Sequence, residues 1–318
     1  MKKFFIFLSI LSITSMITNV VAQEDTIAKV DSVQPSKWKQ YWKISGVVGI
    51  KITQTQLINW AAGGNSNFSG IAYANVTLNY KQKKHAWTTN LDTDFGAIYS
   101  SDFQTYRWRK GSDKLNFSST YGYEISPQGN SKSTWYIASN GSFKSQYTIG
   151  YGYPADGSRA KISNWLSPSH TSISIGVNWK WTDLISLYFS PLGGLITSCT
   201  DSILRPANGF PSDKLDKTAI ATLGMTFRAG VTYAGVKNLK IATTFALYTP
   251  YTDKEQKFGY FNVDWDVMIT YQFLKVLNVS LTTNLKYYPK VRFPDEPDAS
   301  HSRVQFQEVF GLGIGYSF

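Results

Sequence analysis

FNVDWDVMITYQF, residues 261–273, and LNVSLTTNLKY, residues 277–287, decide the fold. In the first, Phe261, Val263, Trp265, Val267, Ile269, Tyr271 and Phe273 fall on one face, and Asn262, Asp264, Asp266, Met268, Thr270 and Gln272 on the other. In the second, Leu277, Val279, Leu281, Leu285 and Tyr287 alternate with Asn278, Ser280, Thr282, Asn284 and Lys286. Side chains that alternate with period two belong to a strand whose faces meet different surroundings. The end of the chain repeats the pattern, with Phe306, Phe310, Leu312, Ile314, Tyr316 and Phe318 set against Gln305, Gln307, Gly311, Gly313, Gly315 and Ser317. Runs of this kind outlast the ~5–6 residues of an ordinary globular strand. A β-sandwich would alternate too, but its polar face would look on bulk water. Here many polar faces are small and uncharged, and the apolar faces end in Trp, Tyr and Phe. Lipid outside and a hydrated lumen inside require that arrangement.

Working outward, the pattern predicts twelve strands near 42–56, 67–81, 86–100, 113–126, 134–150, 170–181, 184–197, 218–234, 239–251, 259–273, 276–289 and 303–318. The count becomes ten or fourteen if one hairpin is misassigned. Between these strands, short connections (81–85, 127–133, 182–183, 235–238, 274–275) alternate with long ones (58–66, 101–112, 151–169, 198–217, 252–258, 289–302). Nothing in the faces forces the loop lengths to alternate as well. Short periplasmic turns, long external loops and an even strand number with both termini periplasmic are the properties of an outer-membrane barrel. The predicted fold is therefore all-β, a transmembrane antiparallel β-barrel over residues 41–318.

The beginning of the chain fits export to a Gram-negative outer membrane. Lys2 and Lys3 precede an apolar stretch from Phe4 to Ile17, and Val20-Val21-Ala22 offers small residues before a cut ahead of Gln23. Residues 1–22 are thus expected to be a signal peptide, and the polar residues 23–40 a short periplasmic tail. Aromatics make up 15% of the chain, with 10 Trp, 20 Tyr and 19 Phe, enough to furnish two interfacial girdles. Cys199 is the only cysteine, so a strand ladder rather than disulfides must hold the exported chain. One cysteine and four methionines also argue against a copper or zinc protein, and no cofactor is expected. The formal charge is +11, or +9 without the two leader lysines. With no basic helix or aromatic–basic motif, nucleic acid is not expected as a partner. Anionic lipid, lipopolysaccharide phosphates or anionic solutes suit the charge better.

Chemistry has few places to reside. A lipid-modifying barrel enzyme would need a Ser–His pair. His85 lies in a basic turn, His301 in the last long loop, and only His170 has a serine, Ser172, two residues on. No catalytic residue is assigned. On the polar faces, Asp92 with Asp94 and Asp264 with Asp266 are like charges two residues apart that need nearby cations. Inward Lys144, Lys180, Arg228, Lys240 and Lys286 are the candidates, and a salt-bridge network filling a narrow lumen is expected ahead of a transport or catalytic site. Inward Tyr136, Tyr188 and Tyr248 threaten to fill it. The loop Asn59-Trp60-Ala61-Ala62-Gly63-Gly64 combines an aromatic anchor with a backbone able to pack tightly. Phe318 closes an alternating strand as the final residue, the form of signal read by the outer-membrane assembly machinery.

Several of these elements carry a resemblance. Trp42 with Gly46, Gln56…Asn59-Trp60-Ala61-Ala62-Gly63-Gly64, Trp87 with Leu91-Asp92 and Gly96, Lys110 with Asp113, Tyr121-Gly122-Tyr123, Asn164…Leu166-Ser167-Pro168 and Ser190-Pro191-Leu192 resemble the domain-of-unknown-function family 3078 of Bacteroidota. The resemblance runs from about Trp42 to Phe318 and is most specific in the Asn-Trp-Ala-Ala-Gly-Gly element. It implies an outer-membrane barrel in a Gram-negative envelope and no established activity. Among its recurrent positions, Asn59, Trp60, Gly63, Gly64, Asp113 and Pro168 are candidates for the family's role. Two functions are expected to compete, a narrow channel for small polar or anionic solutes and a plugged scaffold that partners other envelope proteins. A lipid-modifying enzyme is the weaker third.

Overall fold

A computed structural model describes residues 40–55, 67–100, 103, 105–126, 132–153, 157–182, 184–253, 258–274, 276–289 and 304–318. The expected leader and nearly all of the expected tail lie outside them. Residues Tyr41–Phe318 form one compact unit. Its elements in chain order are β1 (Trp42–Thr55), β2 (Asn67–Gln82), β3 (His85–Tyr99), β4 (Trp108–Glu124), β5 (Ser133–Ser145), β6 (Gly150–Gly152), β7 (Ala160–Ser163), β8 (Ser169–Trp181), β9 (Ile185–Ser198), β10 (Ala219–Tyr233), β11 (Leu239–Pro250), β12 (Asn262–Gln272), β13 (Leu277–Tyr287) and β14 (Val304–Ser317). Twelve of them close a barrel in the order β1-β14-β13-β12-β11-β10-β9-β8-β5-β4-β3-β2, while β6 and β7 form a separate two-stranded sheet.

Closure is made by β1 and β14, which pair antiparallel from Val47↔Ser317 to Ile52↔Leu312. The last residue finishes the seam: Gly46 N–H donates to Phe318 O at 2.9 Å and Phe318 N–H to Gly46 O at 3.0 Å. With twelve strands both ends of the barrel reach the same rim. No edge is left, so the ring carries no exposed row of backbone donors and acceptors.

The alternation in the sequence maps onto the two surfaces. Ile44, Val48, Ile50 and Ile52 of β1, Ile173 and Ile175 of β8, Trp265 and Tyr271 of β12, and Phe306, Phe310, Leu312 and Ile314 of β14 are exposed on the outside. The interior instead buries Asn140, Ser174, Asn178, Ser190, Asn278 and Ser280. This is a protein turned inside out relative to a soluble domain: its apolar surface has only lipid to meet. At the rim bearing the chain ends, aromatic rings gather into a girdle, with Trp42 4.8 Å from Tyr80 and 6.2 Å from Trp87, and Trp135 6.4 Å from Trp179. Tyr99 and Trp108, 5.0 Å apart, sit at the other rim.

Two boundaries differ from the sequence reading. Strand β4 begins at Trp108 rather than near 113, because a bulge shifts its register: Gly96 faces Ser112 but Ala97 faces Lys110. Gly111 is the extra residue, and a Cβ there would lie 2.7 Å from Ile98 Cγ1. Strand β5 ends at Ser145 rather than near 150, for a reason given below. Inside the long 151–169 connection, the β6–β7 hairpin is too short to have left a periodic signal.

Which face meets lipid can be tested directly. Ile50→Arg, near the middle of β1 on the outer face, should cost about 2–4 kcal/mol in urea unfolding from lipid vesicles. Asn75→Arg on the inner face should cost under about 1 kcal/mol.

Candidate functional site

The inner wall carries the chemistry. On β3, Asp92 and Asp94 share the inner face, and Asp94 lies opposite Lys114 of β4. Lys114 Nζ sits 2.9 Å from Asp92 Oδ2 and 3.3 Å from Asp94 Oδ2, bridging both carboxylates. Ser112 Oγ also donates to Asp94 Oδ1. The cation that relieves this pair is therefore Lys114, from the adjacent strand, and none of the five basic residues singled out in the sequence. Its phase on β4, shared with Asn116, Ser118 and Thr120, could have revealed it. Lys51 of β1 is a second cation that the sequence reading passed over; it lies 4.9 Å over the Tyr73 ring, within electrostatic reach of Asp92, Asp94 and Lys114.

The other expected charges distribute along the bore. Asp264 lies opposite Lys286, and its carboxylate accepts from the Tyr288 hydroxyl at 2.6 Å. Asp266 stands within electrostatic reach of Lys144, Lys286 and Lys114. Lys144 faces His170 at the loop end of the barrel. Toward the rim with the chain ends the charges become mostly basic: Arg228 donates from Nη1 to Asn140 Oδ1 at 2.6 Å, Lys180 lies 5.6 Å over the Tyr136 ring, and Lys240 opens β11.

The tyrosines do not all stand out into the bore. Tyr73 faces Gly49 directly, and a Cβ on either Gly49 or Gly315 would come within 2.8 Å of its hydroxyl. Tyr248 covers Gly224 at 2.8 Å, and Tyr136 covers Gly122 at 3.2 Å. An inward glycine leaves a shallow niche in the wall, and the ring from a neighbouring strand lies in it. Tyr188 is pinned differently, by a 2.9 Å hydrogen bond with Ser174. Tyr136 and Tyr188 are each only 6% exposed, so both are covered by neighbouring side chains inside the barrel. Beside Tyr136, near the rim of the chain ends, remains a cavity of ≈ 180 Å³ lined by Thr88, Thr120, Asn178, Lys180 and Ser186.

The family-motif positions take a different place, in the external loops. In a regular strand Lys110 and Asp113 would face opposite sides. The bulge at Gly111 brings them to the same outer side, and Lys110 Nζ reaches Asp113 Oδ2 at 2.9 Å. Asp113, its side chain 2% exposed, also accepts from the Tyr147 N–H at 2.7 Å and the Thr148 N–H at 2.9 Å. These amides would have continued β5; the carboxylate takes them instead, which is why β5 stops at Ser145. Lys110 Nζ donates further to Thr148 O at 3.1 Å and Ser163 Oγ at 3.4 Å, tying β7 to the same lock.

Pro168 belongs to a neighbouring clamp. Asn164 and Ser167 bond each other's backbones at 2.9 Å in both directions, and Gln146 donates to the carbonyls of Asn164 and, at 3.1 Å, Pro168. Ser167 Oγ accepts from the Asp201 N–H at 2.9 Å, and Asp201 pairs with Lys161 at 2.8 Å. Behind it, Cys199, Leu204 and Phe210 form a small core closed by Arg205, whose guanidinium donates to Cys199 O, Leu215 O and Thr200 O at 2.8–3.2 Å. Burial pushes the Cys199 thiol up from its ordinary range. Asn59, Trp60, Gly63 and Gly64 lie outside the described residues. The two described histidines have other partners: His170 Nδ1 is 3.2 Å from Thr197 Oγ1, Ser172 bonds Ser142 at 2.6 Å, and His85 bonds Tyr121 at 2.7 Å, while His301 lies outside the described residues.

The model of the family described as "Protein of unknown function (DUF3078)" matches residues 52–151. The match begins within β1 and ends in β6, so it covers Lys110, Asp113, Tyr147 and Thr148, whereas Asn164 to Pro168 lie beyond it. Curated proteins return no match. Solved structures with a similar chain path include an outer membrane channel from Pseudomonas putida F1 (10% identity, TM-score 0.40, covering 90% of this chain and 100% of that one). The NanC porin follows at 9% identity and TM-score 0.35, with 86% and 98% covered. The translocator domain of the autotransporter NalP from Neisseria meningitidis has 10% identity and TM-score 0.33, with 86% and 87% covered.

Removing the Asp113 carboxylate should open the lock. Asp113→Ala leaves the Tyr147 and Thr148 amides without their acceptor and should cost about 2 kcal/mol or more. Faster hydrogen exchange at those two amides, with the barrel ladder unchanged, is the expected sign. The neighbouring clamp is pH-dependent. The hydrogen bond from Lys161 holds the Asp201 carboxyl below the usual carboxylate range. A depressed acid stabilises fully above its unfolded value and loses that contribution as pH falls through the folded one. Limited proteolysis of the 199–218 loop should therefore stay constant from neutral pH to about pH 4 and rise only in stronger acid. In Lys161→Met the rise should begin at higher pH.

Proposed function

We propose that the protein is an outer-membrane channel of narrow bore that passes small polar or anionic solutes. One observation carries the reading: the inner wall is polar and charged, and the rings of Tyr73, Tyr136 and Tyr248 lie over inward glycines. The distribution of charge adds a direction. The loop half mixes Asp92, Asp94, Asp264 and Asp266 with Lys51, Lys114, Lys144 and Lys286, whereas Lys180, Arg228, Lys240 and Glu124 lie toward the chain ends. An excess of fixed cations favours anions over cations in a confined, poorly screened passage.

In this reading residues 1–22 are the export leader, 23–40 the periplasmic tail, and the chain resides in the outer membrane of a Gram-negative cell. Lipopolysaccharide phosphates meet the basic external loops, and the assembly machinery reads the strand ending at Phe318. A second reading is favoured by the folded exterior. Arg109 is sandwiched 3.6 Å from Phe103 and 4.0 Å from Tyr153, and Arg159 lies 4.4 Å from Tyr151 and 4.9 Å from Tyr106. A stiff external surface of that kind suits a scaffold that docks another envelope protein.

Planar bilayers separate the two. Refolded barrel should give discrete conductance steps, with a reversal potential in a KCl gradient on the anion-selective side. Absence of conductance from protein that still shows heat-modifiable migration, and so an intact barrel, would move the function to the scaffold.

A further inference from the structure

Arg228 is held in a way that a structural arginine is not. It stands on the inner face of β10, opposite Tyr188 of β9 on one side and Ala246 of β11 on the other. Its hydrogen-bond partner is not on either neighbour. Nη1 reaches Asn140 Oδ1 on β5 at 2.6 Å, and β8 and β9 intervene. Three strand steps correspond to roughly 14 Å of wall, so the guanidinium cuts across a chord of the bore. Its anchor is rigid: Asn140 is 5% exposed and donates from Nδ2 to Thr120 Oγ1 at 2.6 Å. Beneath the arginine stem, Tyr188 is itself fixed by Ser174.

A guanidinium has five N–H donors in one plane, and the bond to Asn140 uses one of them. No carboxylate forms an ion pair with Arg228 among the described residues; Asp264 acts on it at longer range, through the field. Ala246, its partner on β11, offers neither bulk nor charge. What remains is a planar cationic fork held by one neutral partner inside the barrel. Planar forks of this kind recognise oxyanions, taking two oxygens at once.

We infer that Arg228, positioned by Asn140, is an oxyanion-binding subsite in the lumen, for a phosphate, sulfate or carboxylate group on a small solute. Its place in passage rests on the channel reading; the binding itself does not. Lys180 and Lys240 on the same side of the bore raise the local anion concentration, while Glu124 near the rim and Asp264 toward the loops limit it. Asn140 is a positioning residue: it touches the arginine, not the anion.

The test uses the refolded mature chain in detergent, with inorganic phosphate as the probe and 31P line broadening as the readout. Wild-type protein should broaden the phosphate signal saturably. Arg228→Gln should weaken the apparent affinity on the order of ten-fold, Arg228→Lys should weaken it less, and Asn140→Ala should fall between wild type and Arg228→Gln. Heat-modifiable migration identifies any variant that has not refolded, and the wild-type titration decides the matter even then. In bilayers, Arg228→Gln should also shift the reversal potential toward cations. Wild-type protein that shows no saturable broadening, or Arg228→Gln that binds as well as wild type, overturns the subsite. Saturable, arginine-dependent binding by a barrel that passes no current keeps the subsite and removes the channel.

Discussion

Backbone hydrogen bonds have nowhere to go in hydrocarbon except to one another, and every feature of this barrel follows from that constraint. Twelve antiparallel strands satisfy it only if the first finds the last, and the seam between β1 and β14 is where that happens. The pairing continues to the final residue, whose N–H and C=O both bond Gly46. The Phe318 ring lies over Gly46, its Cζ 2.8 Å from where a Cβ would stand, so closing the ring needs a residue without a side chain at that point. The terminal aromatic thus has a role in the folded wall, whether or not it is also read during assembly.

Because closure fixes register, and register fixes faces, most of the fold was legible from period two alone. Trp265, Leu281 and Ile314 could be placed on the lipid side before any coordinates, since a one-residue slip would have put Asp264, Ser280 and Gly313 there. Loops were legible by length but not by content. The two boundaries that differ most each have their own physical cause. A bulge at Gly111 breaks the phase of β4, so Trp108 and Lys110 did not read as continuing the strand that holds Asp113. On β5 the alternation of Tyr147 and Ile149 persists past Ser145, yet the chain leaves the ladder, since a carboxylate competes successfully for its amides. Periodicity reports surroundings, not hydrogen-bond partners, and so cannot see that substitution.

The lumen was half legible for a related reason. Phase placed Asp92, Asp94, Arg228, Asp264 and Lys286 on the inner face, but pairing depends on which strand stands alongside and how far each side chain reaches. Lys114 was passed over though it shares the inner phase, and Asn140 had no feature to mark it until Arg228 was seen to cross two strands to meet it. The tyrosines show the same limit. Whether an inward ring blocks a bore or lies against its wall is decided by a glycine on the next strand, a cross-strand fact absent from either strand's own pattern.

These arrangements bear jointly on whether the interior is wet. Burying a guanidinium with one neutral hydrogen-bond partner and no ion pair in a dry interior would cost several kcal/mol. Lys51, Lys144 and Lys286 add further cations along the same bore. A solid barrel could hold them only with matching carboxylates at bonding distance, as Asp92 and Asp94 are matched to Lys114. Arg228 is not matched in that way: it forms no ion pair among the described residues, and its one hydrogen-bond partner is neutral. An anion entering the barrel would supply the missing charge, which is the physical ground of the proposed preference for anionic solutes.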